Sequence, residues 1–585
     1  MRNKGRVLAA ASAVFALAVT AACGSGDDTP KTQEVKPEFN AALTSVFNPS
    51  DKPGGTLKMA ISSDWDSVDP GDTYYGLSWN LVRLYGRSLV MFKPVPGAGS
   101  SELVPDLADS LGVPSDGGKT WTYKLRAGVK FEDGTPITSK DVKYGVMRSM
   151  DKEVLVNGYT YFNDSLALEA DYKGPFKDKA ADTKAIETPD DQTIVFHLKQ
   201  PFGGFDYFAM LPATVPVPAA KDTGVKYKEH VVASGPYMFD TYEAGKGFTL
   251  KRNPNWDKAT DPNRKALPDA YDVKIGLNAD DIDNQLISGD LHVDIAGTGV
   301  QPAALPKVLQ NNDLKAYADN PSVARLWYTS INPKVAPFDK KECREAVMYA
   351  MDRTSYQAAF GGEFAGGQIA TSIMPPQIPG YAPTDVYPAG ADKKGDLDKA
   401  KSSLQACGKP DGFDVTMGFR AERPKEKATA EAFQQALARV GIKVTLKGFP
   451  VGDYFSLYAG KPSYRNSPST GLGLMVNGWG ADWNDGFGFL SQIVDSRVIR
   501  DSGGSSNLSV MIPEVDALID QAVAETDVKK REALWAQVDK RVMEEAVILP
   551  GVWAKALTLR GKGATNVFVN EAFGQYDYLS MGVAQ

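Results

Sequence analysis

Histidine and cysteine are scarce in this chain, with three of each among 585 residues. The histidines lie in unrelated settings: His197 in "TIVFHLKQ", His230 in "YKEHVVAS" and His292 in "SGDLHVDI". His197 alternates against Ile194, Phe196 and Leu198, a strand pattern that turns it to a surface rather than into a catalytic centre. No H-E-x-x-H helix, paired-cysteine zinc spacing, G-x-S-x-G elbow or phosphate-binding loop occurs. Carboxylates abound, but no pair stands out as a glycosidase pair would. Hence no catalytic residue, no cofactor and no metal site is expected. Positive charge is also short, 65 Lys and Arg against 72 Asp and Glu, which argues against a nucleic-acid partner. Long apolar runs are missing apart from Val7 to Ala22, and its 16 residues fall short of the roughly 20 that span a bilayer.

What is present begins with an address. Arg2, Lys4 and Arg6 precede that apolar run, as in a secretory signal peptide over residues 1–22. It ends in Thr20-Ala21-Ala22-Cys23, which resembles a bacterial lipobox, where a cysteine is lipidated after cleavage. The resemblance implies anchoring through Cys23 on the outer face of the cytoplasmic membrane. Removing residues 1–22 takes away three basic residues and no acid, leaving 62 basic against 72 acidic, net −10. Residues 23–53 are polar and rich in Gly, Pro and Ser, and read as a flexible tether. The folded body is then expected from Gly54, about 530 residues, enough for two or three domains.

Cys343 and Cys407 remain, and two readings stand. An exported chain permits a disulfide. Alternatively, Cys343 lies on one helical face with Ala346, Val347, Ala350 and Met351, as a buried thiol would. Elsewhere "WTYKLRAGVKF" and "IKVTLKGF" alternate as strands. Ala428, Phe433, Ala436, Leu437 and Val440 form a helical stripe that stops at Gly441. Val515, Leu518, Ile519 and Ala522 form a second stripe, and Leu534, Val538 and Val542 a third, with Asp527 as N-cap between them. Strands interleaved with long helices indicate a large α/β protein.

One short stretch asks for a function. "NGWGADWND" (477–485) sets Trp479, Asp482 and Trp483 among glycines and asparagines, too polar for core and too aromatic for an idle loop. A general-acid pair, a metal or a captured cation would each suit it. A carboxylate beside indoles favours an amine, through charge-assisted hydrogen bonding and cation–π contact.

A family resemblance bears on the choice. "LVPDLADSLGVPSDGGKTWTYKLRAGVKFEDGTPITSKDVKYGVMRSMD" (103–151) resembles the signature region of the family 5 extracellular solute-binding proteins of ABC importers. "GGTLKMAISSDWDSVDP" (54–70), "SGPYMFDTYEAGKGFTLKRNPNWD" (234–257), "YTSINPKVAPFDKKECREAVMYAMDR" (328–353) and "FQQALARVGIKVTL" (433–446) follow in the family's order. The resemblance implies a two-lobed periplasmic-binding-protein type II fold with an extra inserted domain, cluster C-like. Mapped here, the first lobe takes 54–86, 232–303 and 555–585, the inserted domain 87–231 and the second lobe 304–554. Asp133-Gly134 then reads as a turn.

In peptide-binding members of the family, the aspartate at the position of Asp482 pairs with the ligand's α-ammonium group. Gly478, Trp479 and Trp483 flank it. Tyr74, Tyr75, Gly76, Tyr159 and Asn332 match ligand-near positions more loosely. Val476 stands where an oligopeptide binder can carry an arginine, which puts the pocket's electrostatics in question. The expected function is capture of peptides, oligopeptides first, by a monomer that hands them to the importer's permease subunits. Other readings are a different solute (an oligosaccharide or a metal chelate) and a sensor of peptide signals. Few histidines weigh against nickel, and Asp482 weighs against a sugar.

Overall fold

The computed structural model describes residues 37–584, apart from positions 173, 178–181, 298 and 526. The signal peptide, Cys23 and the start of the tether therefore lie outside the described residues. No described helix is long and apolar enough to cross a membrane.

The sequence patterns become elements for the expected reasons. Strand Thr120–Lys124 buries Trp121 and Tyr123 and leaves Lys124 exposed. Helix Pro424–Ala438 buries Phe433, Ala436 and Leu437. The chain reverses after it through Gly441, whose φ of 83° suits glycine and few other residues. Asp527 caps helix Val528–Glu544, its carboxylate accepting from Lys530 N at 2.9 Å. Asp133 Oδ1 accepts from Thr135 N at 2.9 Å, closing the turn at Asp133-Gly134.

Three sheets carry the architecture. The first has the strand order Val293–Asp294, Thr56–Ile61, Ala270–Ile275, Gly247–Arg252, Tyr237–Glu243. Thr56–Ile61 runs parallel to Ala270–Ile275, Leu57 opposite Tyr271, so strands over 200 residues apart are neighbours. Their core includes Leu57, Met59, Tyr271 and Val273, and it takes in Val567, Val569 and Tyr576 from the C-terminal stretch. The second sheet runs Gly367–Ile369, Ile548–Lys555, Ser322–Ile331, Leu474–Gly480, Asp414–Arg420, Lys443–Phe449. Helices Lys341–Ala350, Pro424–Ala438 and Val528–Glu544 contribute to its core. The third is antiparallel, with the order Val113–Ser115, Thr120–Lys124, Thr193–His197, Ile186–Asp190.

Two expectations need correcting. The tether does not extend to residue 53: Ala42 and Phe47 are buried in the first sheet's core, and Asn40 N donates to Ala318 O at 3.0 Å. Further bonds, such as Phe47 N to Val567 O at 2.8 Å and Ala42 N to Asp319 Oδ1 at 3.0 Å, dock a segment that composition alone reads as loose. Nor does the second lobe begin at 304. Val308 and Ala318 pack with Ala60, Leu286 and Leu557, and Ala318–Asp319 pairs antiparallel with Thr558–Leu559. The chain therefore passes towards the second sheet after Asp319 and returns by Leu557. Ala556 N donates to Pro321 O at 3.2 Å, so the outgoing and returning strands run side by side.

Cys343 and Cys407 are bonded, with Cα atoms 5.4 Å apart and both side chains fully buried. The bond ties helix Lys341–Ala350 to the end of helix Leu397–Ala406.

Candidate functional site

The strand Leu474–Gly480 contributes one face to a cleft between the first and second sheets. Gly478 pairs with Trp327 and Gly480 with Arg325 on the neighbouring strand. A Cβ on Gly478 would overlap the six-membered ring of Trp327, and one on Gly480 would come 3.3 Å from Arg325 Nη2. The two glycines thus clear the surface over which Trp327 and Arg325 lie, the guanidinium 5.4 Å from the Trp327 ring centroid.

Asp482 follows at the strand's end, and Ala481 N still donates to Ala324 O at 3.1 Å. Tyr74 Oη donates to Asp482 Oδ2 at 2.7 Å, and Tyr161 Oη donates to the same oxygen. No described cation forms an ion pair with Asp482. Burial pushes its carboxyl up to about 7 against the lowering effect of the two tyrosine hydroxyls. Tyr74 stacks on Trp79 at 5.8 Å and meets Trp479 edge-on at 5.7 Å, so aromatic rings exclude water around the carboxylate. Asp66 also lines the cleft. It accepts from Thr73 Oγ1 at 2.8 Å and from Tyr74 N, and burial raises it likewise to about 7.

The second sheet also brings basic side chains to the cleft. Arg420 donates to Glu426 Oε2 from Nε at 3.0 Å, and Arg423 reaches the same carboxylate at 3.5 Å and lies 5.9 Å from the Tyr75 ring centroid. Arg325 has no carboxylate within ion-pair distance. Burial, then the repulsion of Arg423 and Arg420, bring it down to about 10.

Six of the nine residues named from sequence line this cleft: Asp482, Trp479, Gly478, Tyr74, Tyr75 and Gly76. Three stand outside its wall. Trp483 is 1 % exposed, parallel to Tyr207 at 5.2 Å and against Tyr161, inside the third sheet's core. Tyr159 is buried behind Tyr74, its Oη accepting from Ala213 N at 2.7 Å. Asn332 Nδ2 donates to Leu472 O and Asn466 Oδ1, bracing a loop. Tyr159 and Asn332 thus spend their polar groups within the fold, and Trp483 is held there by its ring contacts. Sequence reasoning missed Arg325, Arg423, Asp66 and the turn Glu571–Gln575, all of which line the cleft. The available signal for Arg325 was a lone guanidinium inside the apolar run "VARLWY".

A two-lobed α/β body with a polar cleft between sheets, crossed by one pair of connecting strands, is the architecture of a solute-binding protein. Residues 102–500 match the model of the bacterial extracellular solute-binding proteins, family 5, and the chain belongs to that family. Among solved structures, clavulanic acid biosynthesis oligopeptide binding protein 2 is 42% identical with a TM-score of 0.85, covering 94% of this chain and 99% of that one. The DppA protein of Helicobacter pylori, solved in complex with the peptide STSA, shares the fold at 21% identity and a TM-score of 0.74, over 92% of this chain and 99% of that one. The glutathione-binding protein GsiB of Shigella boydii serotype 4 (strain Sb227) is 26% identical over 534 residues, 87% of this chain and 91% of that protein.

Proposed function

We propose that the cleft captures peptides by their free amino terminus, with Asp482 receiving the α-ammonium group. The observation that carries this is a buried carboxylate, facing the cleft, that meets only neutral hydroxyl donors. An ionised carboxylate in such a place is costly without a cation, and a ligand's ammonium group supplies one. The rings of Tyr74, Trp79 and Trp479 offer that cation further stabilisation. Peptide-binding and glutathione-binding relatives support the same ligand class. The protein acts without catalysis, as a monomer tethered through diacylated Cys23 outside the cytoplasmic membrane, and delivers its ligand to the permease of an ABC importer.

Calorimetric titration with tri-alanine and N-acetyl-tri-alanine tests the site. Acetylation leaves the carboxylate enclosed without its cation, at a cost of about 2–5 kcal/mol, roughly 30-fold to several thousandfold in affinity. Asp482→Asn is expected to weaken tri-alanine by a similar order and to discriminate little between the two peptides, because the losses share one interaction. Additive losses, or equal binding of both peptides by the native protein, would show that Asp482 receives something else. For the anchor, Cys23→Ala protein that stays on the membrane would refute lipid attachment.

A further inference from the structure

Three consecutive residues at which the chain leaves the first lobe are held by one short stretch of the N-terminal segment. Asn40 N donates to Ala318 O at 3.0 Å, Ala42 N to Asp319 Oδ1 at 3.0 Å, and Asn320 N to Asn40 Oδ1 at 2.8 Å. The returning chain is engaged as well, since Arg560 Nη2 donates to Glu38 O at 2.6 Å. Asn40 has a φ of 66°, left-handed backbone that asparagine enters more readily than most residues. Such a conformation persists where the surroundings over-determine it, and here both the amide and the side chain of Asn40 are committed to the crossing.

The same stretch reaches the second lobe. Asn320 Nδ2 donates to Phe364 O at 2.7 Å, and Phe364 lies between helix Arg353–Ala359 and strand Gly367–Ile369 of the second sheet. The Phe364 ring, 42 % exposed, stacks on Phe39 at 5.9 Å, while Lys315 Nζ of the first lobe stands 5.1 Å from the centroid of the Phe39 ring. Residues 38–42 thus lie across the two connecting strands. Asn320 is the pivot, bonded to the segment through its amide and to the second lobe through its side chain. Lobe movement is absorbed by φ/ψ changes at a few such residues. A rotation within residue 320 moves its amide and its side chain apart, so both bonds hold only near the closed setting, in which Tyr74 meets Asp482 across the cleft. We propose that residues 38–42 are a strap that holds the hinge closed, so that the N-terminal segment raises affinity without touching ligand. A protein whose binding-competent form is partly populated binds more weakly by that fraction, and the strap sets the fraction. Ligand selection stays with the cleft. The strap acts alike on any ligand over which the lobes close, whether or not that ligand is a peptide.

The test uses the full chain, with tri-alanine as probe. Asn40→Ala removes the acceptor for Asn320 and is expected to weaken tri-alanine about two- to tenfold, the range of one neutral hydrogen bond. The loss should appear as faster dissociation, because an opened cleft releases its ligand. Phe39→Ala, which takes the ring off Phe364, should act in the same direction. Asn40→Asp keeps the acceptor and the tolerance for left-handed backbone, and should bind as the native protein does. Adding Asp482→Asn should cost the same factor with the strap intact or broken, since the two sites are independent. Without ligand, the Phe39→Ala, Asn40→Ala double variant should have a larger radius of gyration than the native protein in solution scattering. Unchanged tri-alanine affinity in that double variant, a non-additive loss with Asp482→Asn, or an unchanged radius would each overturn the strap. If tri-alanine fails to bind the native protein, peptide capture falls, and the ligand-free radii alone decide for or against the strap.

Discussion

Asp482 makes two opposite demands on pH. Its carboxyl titrates near 7 in the folded protein and near 3.8 unfolded, so between those values the folded state keeps a proton that the unfolded chain has released. Its contribution to stability is therefore full at the acid end and is lost as pH rises towards 7. Binding of an ammonium group runs the other way, because it requires the ionised carboxylate. Affinity for tri-alanine should fall by up to about tenfold per pH unit below 7. Asp482→Asn should flatten that slope in titrations between pH 5 and 8. Asp66 titrates in the same range, also raised by burial, and the double variant with Asp66→Asn measures its share of any slope left. A wild-type affinity that does not change over this range would remove Asp482 from the binding step.

The floor of the cleft depends on two strands fitting flat against each other. Gly478→Ala would drive a methyl group into Trp327, which also stacks on Phe360 at 4.7 Å. Overpacking of this kind costs about 1–3 kcal/mol. It should lower the melting temperature and weaken ligand, whereas Gly76→Ala, with no protein atom near its Cβ, should leave the melting temperature unchanged. The disulfide works at the same scale. Replacing Cys343 and Cys407 by serine should cost about 4 kcal/mol on the chain-entropy account for a 64-residue separation, read as a lowered melting temperature. How far the site was legible follows the same lines. Asp482, Trp479 and Gly478 fall in one short segment whose composition is odd enough to be noticed. Arg325, on a paired strand, and Arg423, at the start of helix Pro424–Ala438, reach the cleft from about 60 to 155 residues earlier, through a sheet order that no local pattern encodes. Trp483 misled because an aromatic next to a site residue reads alike whether it faces ligand or seals an interface. Alternation and stripes, by contrast, specified Trp121, Phe433 and the Asp527 cap, since periodicity and capping are local properties.

At the scale of the molecule, closure is written into contacts between segments on either side of the cleft. Tyr74 reaches Asp482, Arg500 Nη1 donates to Gly158 O at 3.0 Å, and Trp483 enters the aromatic core around Tyr207 and Tyr161. Parting the lobes would bring Trp483 into water. Tri-alanine should therefore reduce the radius of gyration in solution scattering and shift tryptophan emission to the blue, and Trp483→Phe should remove most of that shift. An unchanged scattering profile at saturation would mean that the lobes do not move. The paired strands at 319–323 and 555–558 bear on a different matter, the modular history and engineering of the chain. Everything between them is one uninterrupted segment whose two ends leave side by side, as a cassette spliced into a host does. A short turn joining residue 320 to residue 557 should then close the remainder without stretching it, and the excised piece should be a candidate for independent expression or for new termini.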